Sequence, residues 1–382
     1  MAEVFRRFGP ALRQRHRLTA AQRKVMGCIE HCRTPALGGH RTVCLDCGQQ
    51  RLDFNSCRNR HCPKCPALAQ AKWIAQRQRR VLPVRHFHAV ATLPEQLRSI
   101  AAANREAVFN LLFHSATDML LELGEDPQWL GAQLGITAVL HTWTRELAFH
   151  PHLHCVVTAG GLATEGSTRW IHSTPDFLFP VHVMSRLFRG KFLDGLERLF
   201  RAGELLVPLG PHDTGVDDHF RRLKEQLYSF DWVVYCKEPF GGAEHVFQYL
   251  GRYTHRVAIS DQRLIDIDDH GVRFATKDGN TATLPPIEFI RRFLMHVLPD
   301  GFTKIRHYGL MASSNVNGRL EIARALLTSS PRDAQDVPDA GSWQALVLQW
   351  TGVDLTTCPA CGSINLKRYR LDAGSPLLRD TS

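Results

Sequence analysis

The sequence has no run of eighteen apolar residues, which argues against a membrane-crossing helix. Its opening MAEVFRRFGPALRQRHRL lacks the apolar stretch of a secretory signal. A soluble, cytoplasmic protein with no membrane partner is the expectation. Acidic residues are scarce at one end only. Residues 1–90 hold 4 Asp/Glu against 18 Lys/Arg, whereas the remaining residues hold 33 against 29. So concentrated a positive charge is the electrostatic footprint expected for a polyanion such as nucleic acid. Tyrosine is also rare, with six in 382 residues, so two of them four positions apart, Tyr249 and Tyr253, call for a reason. With 44% hydrophobic residues the chain can bury a sizeable core, and its length suggests two or three domains.

Cysteine is abundant where acid is missing. Seven of the eleven cysteines fall in CIEHCRTPALGGHRTVCLDCGQQRLDFNSCRNRHCPKC, residues 28–65. Clustered pairs in an intracellular chain point to metal rather than disulfides. Cys44 and Cys47, and Cys62 and Cys65, form two CxxC knuckles whose thiolates suit one tetrahedral Zn²⁺ across a short hairpin. Cys32, His40, Cys57 and His61 make a chemically sensible second zinc set, with Cys28 or His31 as substitutes. Arg58, Arg60 and Lys64 lie among these ligands and are candidate DNA contacts. A module with so little apolar content depends on metal to fold. Near the other end, Cys358 and Cys361 are half of a zinc site with no visible partners, and no metal is assigned to them.

After the knuckles, ALAQAKWIAQRQRRVL has helical periodicity, and VRHFHAVATLP alternates like a strand. His86 and His88 on that strand are read as strand-face or core-edge histidines. Residues 95–146 read as helical in two stretches, the second being PQWLGAQLGITAVLHTWTREL. In AFHPHLHCVVTAGGL, a strand running to a Gly160-Gly161 turn, period two places His150, His152 and His154 on one face. Three neutral imidazoles together suit a divalent cation, which removes the cost of leaving them unpaired.

The tyrosines lie in QYLGRYTHRVAIS, where helical spacing puts 249 and 253 on one face and Arg252 and Arg256 on a neighbouring one. Lys237, in the strand-like DWVVYCKEPF, is a further cation for a phosphate. A phenol with a pKa near ~10 is a weak nucleophile at neutral pH. Against a phosphodiester it becomes effective when a metal polarises the phosphate and cations offset the developing charge. Attack leaves a covalent phosphotyrosine and a hydroxyl, which is the chemistry of DNA strand transfer.

Here a family resemblance emerges. His152-Leu153-His154 resembles the histidine-hydrophobic-histidine (HUH) signature of rolling-circle nucleases. Tyr249-Leu-Gly-Arg-Tyr253 resembles the paired tyrosines of the two-tyrosine transposases of the insertion-sequence ninety-one type. CRTPALGGH, SCRNRHCPKC, FHPHLHCVVTAGGL and IRHYGL are similar to that family's motifs in the same order, over about residues 10–320. The resemblance implies an α+β architecture, with an N-terminal ribbon-like zinc-binding domain followed by an HUH nuclease domain whose central antiparallel sheet is flanked by helices. It implies nicking of one DNA strand, single-stranded or hairpin ends of the protein's own element as substrate, and action at the bacterial nucleoid. His152 and His154 would hold Mg²⁺ or Mn²⁺, with His150 or Gln248 as third ligand, and Tyr249 and Tyr253 would be nucleophiles.

The expected domains are 1–82, basic and zinc-binding; 83–328, catalytic; and 329–382, linker and tail. Residues 261–284 carry hairpin signals and PIEFIRRFLMHVL a helix; Arg306, His307 and Tyr308 are possible lining for a DNA site. Two other classes fit part of the pattern. A replication initiator or relaxase-like nickase would use the same histidines and tyrosines, and a zinc-dependent DNA-binding regulator would leave them idle.

Overall fold

The computed structural model describes residues 1–65, 81–166, 168–213, 215–240, 258–328, 344, 348 and 352–373. Tyr249, Tyr253, Gln248, Arg252 and Arg256 lie outside these residues, as does the basic helix expected after the knuckles. The described residues form a mixed α and β structure whose sheets are antiparallel throughout.

The helices are α1 (Ala2–Arg15), α2 (Ala20–His31), α3 (Arg98–Ala103), α4 (Arg105–Glu125), α5 (Val181–Arg201), α6 (Val216–Tyr228), α7 (Pro286–Leu294) and α8 (Arg319–Leu327). The strands β1 (Gly39–Cys44) and β2 (Gln50–Phe54) belong to a small sheet. The central sheet is built from β3 (His86–Thr92), β4 (Ala132–Trp143), β5 (Phe149–Ala163), β6 (Trp170–His172), β7 (Val234–Phe240) and β11 (Ile305–Gly309). Its order is β11-β4-β5-β3-β7, with β6 added on β5.

One face of that sheet is the main core. Phe87, Ala89 and Ala91 of β3, Ile136, Ala138 and Leu140 of β4, and Leu153, Cys155 and Val157 of β5 pack with α4 and α5. On α4, Phe109, Leu112, Phe113, Ala116 and Leu120 recur at the i, i+3, i+4, i+7, i+11 positions of a helix, which gives it an apolar stripe to bury. The alternate strand residues necessarily face the other way, and these are the histidines.

The second stretch expected to be helical is instead β4, a central strand with neighbours on both edges. Nine of its twelve residues are buried, so the two-residue alternation that identifies a strand is erased in the sequence. The Gly160-Gly161 turn is likewise absent, because β5 runs on to Ala163 through an irregular register. Gly160 has φ of 129°, and a Cβ there would press into the carbonyl of Ile171 on β6. The glycines therefore admit a neighbouring strand rather than reverse the chain. A second register shift falls where His141 pairs with His152 but Trp143 with Phe149. The extra residue on β5 accommodates Pro151, which has no N–H for the ladder.

Strands β8 (Leu264–Ile267), β9 (Val272–Ala275) and β10 (Thr281–Leu284) form their own three-stranded sheet and do not extend the central one. A second core joins Val272 and Phe274 of this sheet and Phe289 and Phe293 of α7 to Val4, Phe5 and Leu12 of α1 and Met26 and Ile29 of α2. The apolar side of the basic N-terminal helices is thus buried against residues 258–297. The tail also departs from expectation. Strand β12 (Leu366–Leu371) pairs with β1, giving the small sheet the order β12-β1-β2.

Candidate metal and DNA-processing site

The histidine face collects ligands from three adjacent strands. His152 and His154 alternate on β5, His141 stands opposite His152 on β4, and His88 on β3 lies one pair beyond the level of His154. One ring nitrogen from each of His141, His152 and His154 falls within 4.8 Å of the others. His150 shares the face, and its ring centre is 5.3 Å from that of His152, but it is outside this group of three. Its contribution is through the main chain, since His152 Nδ1 donates to the His150 carbonyl at 2.7 Å. His154 Nδ1 lies 2.7 Å from His88 Nε2. With Nδ1 engaged in both β5 rings, Nε2 is the nitrogen each offers to a cation.

Burial, the largest cause, pushes His152 down to about 4. It pushes His154 to about 2, with His152 and His88 adding to the effect. His88 is held at about 4 by burial and then by the Lys237 ammonium beside it. All three rings are therefore neutral near pH 7, the state in which imidazole ligates a metal. The all-nitrogen donor set suits a borderline divalent ion, and the ion's remaining positions are open to oxygen ligands such as phosphate.

His141 was not legible as a ligand because its segment reads as a helix, which would have placed it away from β5. His88 also enters as a ligand-supporting residue rather than a bystander. Lys237 lies on the same face of β7, opposite His88, with Nζ 5.6 Å from the Tyr235 ring centre. His307 faces this side too, its Nδ1 3.0 Å from the Thr137 hydroxyl. Arg306 and Tyr308 do not. The Arg306 guanidinium lies 4.2 Å from the Phe113 ring centre and donates to Asn110 Oδ1 at 2.5 Å, while Tyr308 packs on the main core.

The cysteines form two groups of four, partnered differently from the spacing-based sets. Cys62 and Cys65 meet Cys32 and Cys57, whereas Cys44 and Cys47 meet Cys358 and Cys361. The Cys65 sulfur lies 3.4 Å from that of Cys32 and 3.5 Å from that of Cys57. A tetrahedron with ~2.3 Å Zn–S bonds has edges of ~3.8 Å, and a disulfide is ~2.05 Å, so these separations fit a shared ion. The two knuckle pairs do not converge because β1 and β2 carry Cys44 and Cys47 toward the tail strand.

Neither His40 nor His61 joins a group. His61 Nε2 accepts from the Leu298 backbone N–H at 3.1 Å, and burial holds the ring down at about 3. Arg60 is similarly occupied, donating to the Phe302 carbonyl at 2.6 Å and the Pro299 carbonyl at 2.7 Å. These bonds seat the cysteine module on the segment before β11, so Arg60 serves as a structural clamp. Lys64 sits 4.0 Å from Asp261. His40, Arg58 and Arg370 line a groove of about 460 Å³ together with Leu37, Asn55, Ser56 and Cys57. Burial first, then Arg368 and Arg370, lowers the His40 pKa, as expected in a basic groove.

A histidine-faced antiparallel sheet joined to a basic, cysteine-clustered module is the combination expected of a metal-binding protein that acts on nucleic acid. Comparison with known proteins makes this specific. Residues 135–318 match the family model described as "Putative transposase", and residues 4–93 match "Transposase zinc-binding domain". The chain is 44% identical over 392 residues to "Putative transposase y4qJ" of Sinorhizobium fredii, covering 100% of this chain and 98% of that relative. It is 26% identical over 353 residues to "Transposase for insertion sequence element IS801" of Pseudomonas savastanoi pv. phaseolicola, covering 87% and 80%. No solved structure matches the chain. The chain belongs to the transposases of the insertion-sequence ninety-one type, with that family's zinc-binding domain at its N-terminal side, and its partner is DNA. Among the described residues no helix is long and apolar enough to cross a membrane.

Proposed function

We propose that this transposase moves its element by a rolling-circle route in which one DNA strand is nicked with divalent metal and held as a 5'-phosphotyrosine. The observation that carries the reading is the convergence of three imidazoles, His141, His152 and His154, on the histidine face of the central sheet, with His152 and His154 held neutral by burial. In this reading they hold Mg²⁺ or Mn²⁺, which would polarise the scissile phosphate. His88 and the His150 carbonyl fix the ring orientations, and Lys237 offsets phosphate charge. The nucleophiles are Tyr249 and Tyr253. The phenolic oxygen forms a bond to phosphorus as the bond to the 3' oxygen breaks; the phenol gives up its proton and the leaving oxygen takes one up. One ester replaces another, so no nucleotide cofactor is needed. Cys32, Cys57, Cys62 and Cys65 hold a structural Zn²⁺. Arg58, Arg252 and Arg256 contact DNA, chiefly the single-stranded or hairpin ends of the element.

The test is incubation of the full chain with labelled single-stranded DNA from the element's ends and Mn²⁺, followed by a denaturing gel. A covalent adduct is expected, lost on chelation and in the Tyr249→Phe/Tyr253→Phe double variant. An adduct that persists undiminished in that double variant refutes the nucleophile assignment. Absence of any adduct with every terminal sequence refutes the nuclease reading.

A further inference from the structure

The second group of cysteines is drawn from segments at opposite ends of the described chain, 317 residues apart in the case of Cys44 and Cys361. Its two halves have the same local backbone. In the first, the Gly48 N–H donates to the Cys44 carbonyl at 3.0 Å and the Cys44 N–H donates to the Gln49 carbonyl at 2.9 Å. In the second, Gly362 donates to Cys358 at 2.9 Å and Cys358 to Ser363 at 2.8 Å. Both turns close on a glycine in the left-handed region, Gly48 at φ 75° and Gly362 at φ 76°. The C-terminal CxxC is therefore a fully formed knuckle, turned to face its N-terminal counterpart.

The sulfurs meet in crosswise pairs, Cys44 with Cys361 at 3.6 Å and Cys47 with Cys358 at 3.7 Å, close to the ~3.8 Å edge of a tetrahedral zinc–thiolate site. Around them Asp46 accepts from the Ser363 hydroxyl and from Asn365 Nδ2, and the Leu45 N–H donates to the Asn365 carbonyl at 2.9 Å. Strand β12 then pairs with the whole of β1, from Cys44 opposite Leu366 to Gly39 opposite Leu371. Little apolar surface secures this strand, since residues 367–370 are exposed and only Leu371 is buried. A three-stranded sheet with so small an apolar face needs a further tie.

We propose that Cys44, Cys47, Cys358 and Cys361 bind a second structural Zn²⁺ that clasps residues 352–373 onto the N-terminal sheet. The site is of the closed four-thiolate kind, with no position left for substrate. Its ion holds Arg370 against the groove lined by His40 and Arg58. The assignment stands independently of the nuclease reading, because a chain unable to nick DNA would still carry both ions.

The test is the zinc content of the purified full chain by elemental mass spectrometry. Two ions per chain are expected, falling to one in the Cys358→Ser/Cys361→Ser variant. One ion in the parent chain, or two retained in the variant, overturns the proposal. Should the variant misfold, the parent chain gives a second measurement by thiol alkylation and peptide mass spectrometry. Cys358 and Cys361 are expected to resist alkylation until a strong chelator is added. Alkylation of both at the rate of the denatured chain, before chelation, overturns it equally.

Discussion

Replacing His141 by alanine separates the ligand set seen in the structure from the one the strand alternation suggests. His141 offers one of three nitrogens within 4.8 Å, while the His150 side chain is outside that group and supports His152 only through its carbonyl, which alanine keeps. Loss of a ligand-supporting residue typically weakens metal binding 10- to 100-fold, and a direct donor belongs at the upper end, so Mn²⁺ affinity in His141→Ala is expected to fall about 100-fold, or about 2.7 kcal/mol. His150→Ala is expected to change it by less than about threefold. His141 is 3% exposed and stacks on Trp143 with ring centres 4.8 Å apart, so His141→Gln, which keeps more of the volume, controls for packing loss. Electron paramagnetic resonance titration of the full chain with Mn²⁺ reads affinity directly, and DNA adduct formation at rising Mn²⁺ should partly recover in the His141 variants. The reasoning is refuted if His150→Ala loses the metal while His141→Ala keeps it.

Four other outcomes follow from single residues. His296 is sealed between the Thr142 hydroxyl and the Leu147 carbonyl, with burial holding its pKa near about 3. An unfolded histidine takes up its proton near ~6.5, so below that pH the unfolded state binds more protons and stability falls as pH drops toward 3, by at most about 1.4 kcal/mol per unit; urea midpoints across this range should flatten in His296→Gln. Gly160→Ala forces a side chain into the left-handed region and onto the Ile171 carbonyl, and a loss of about 2–4 kcal/mol is expected in thermal melts. Arg60→Ala, which breaks two hydrogen bonds to carbonyls, should cost about 2 kcal/mol of stability. Arg58→Ala should leave the melt unchanged, weaken DNA binding and reduce the logarithmic salt slope by about one.

How much of this was legible depended on whether a residue's role was local. The alternation of His150, His152 and His154 is a property of one strand, and their shared face follows from period two alone. His141 reaches the same site only through strand pairing, and its own strand is buried on both sides and carries no alternation. The zinc ligands divide the same way. Each CxxC knuckle is visible in four residues, but which knuckles meet is decided by β12 pairing with β1, a long-range choice that spacing does not encode. His61 and Arg60 have the residue types of a zinc ligand and a DNA contact, yet both are taken up by backbone groups of residues 298–302.

Strand β12 also bears on how the molecule is made. The residues that close the small sheet leave the ribosome after those of β1 by more than three hundred positions, so the nascent N-terminal module emerges with one knuckle unpaired and one wall of its basic groove missing. A polypeptide cut short before residue 358 would have the histidine face but neither Cys358, Cys361 nor Arg370. The sheet thus ties assembly of the basic groove to synthesis of residues 352–373, and a prematurely terminated product would lack one of the cations that line it.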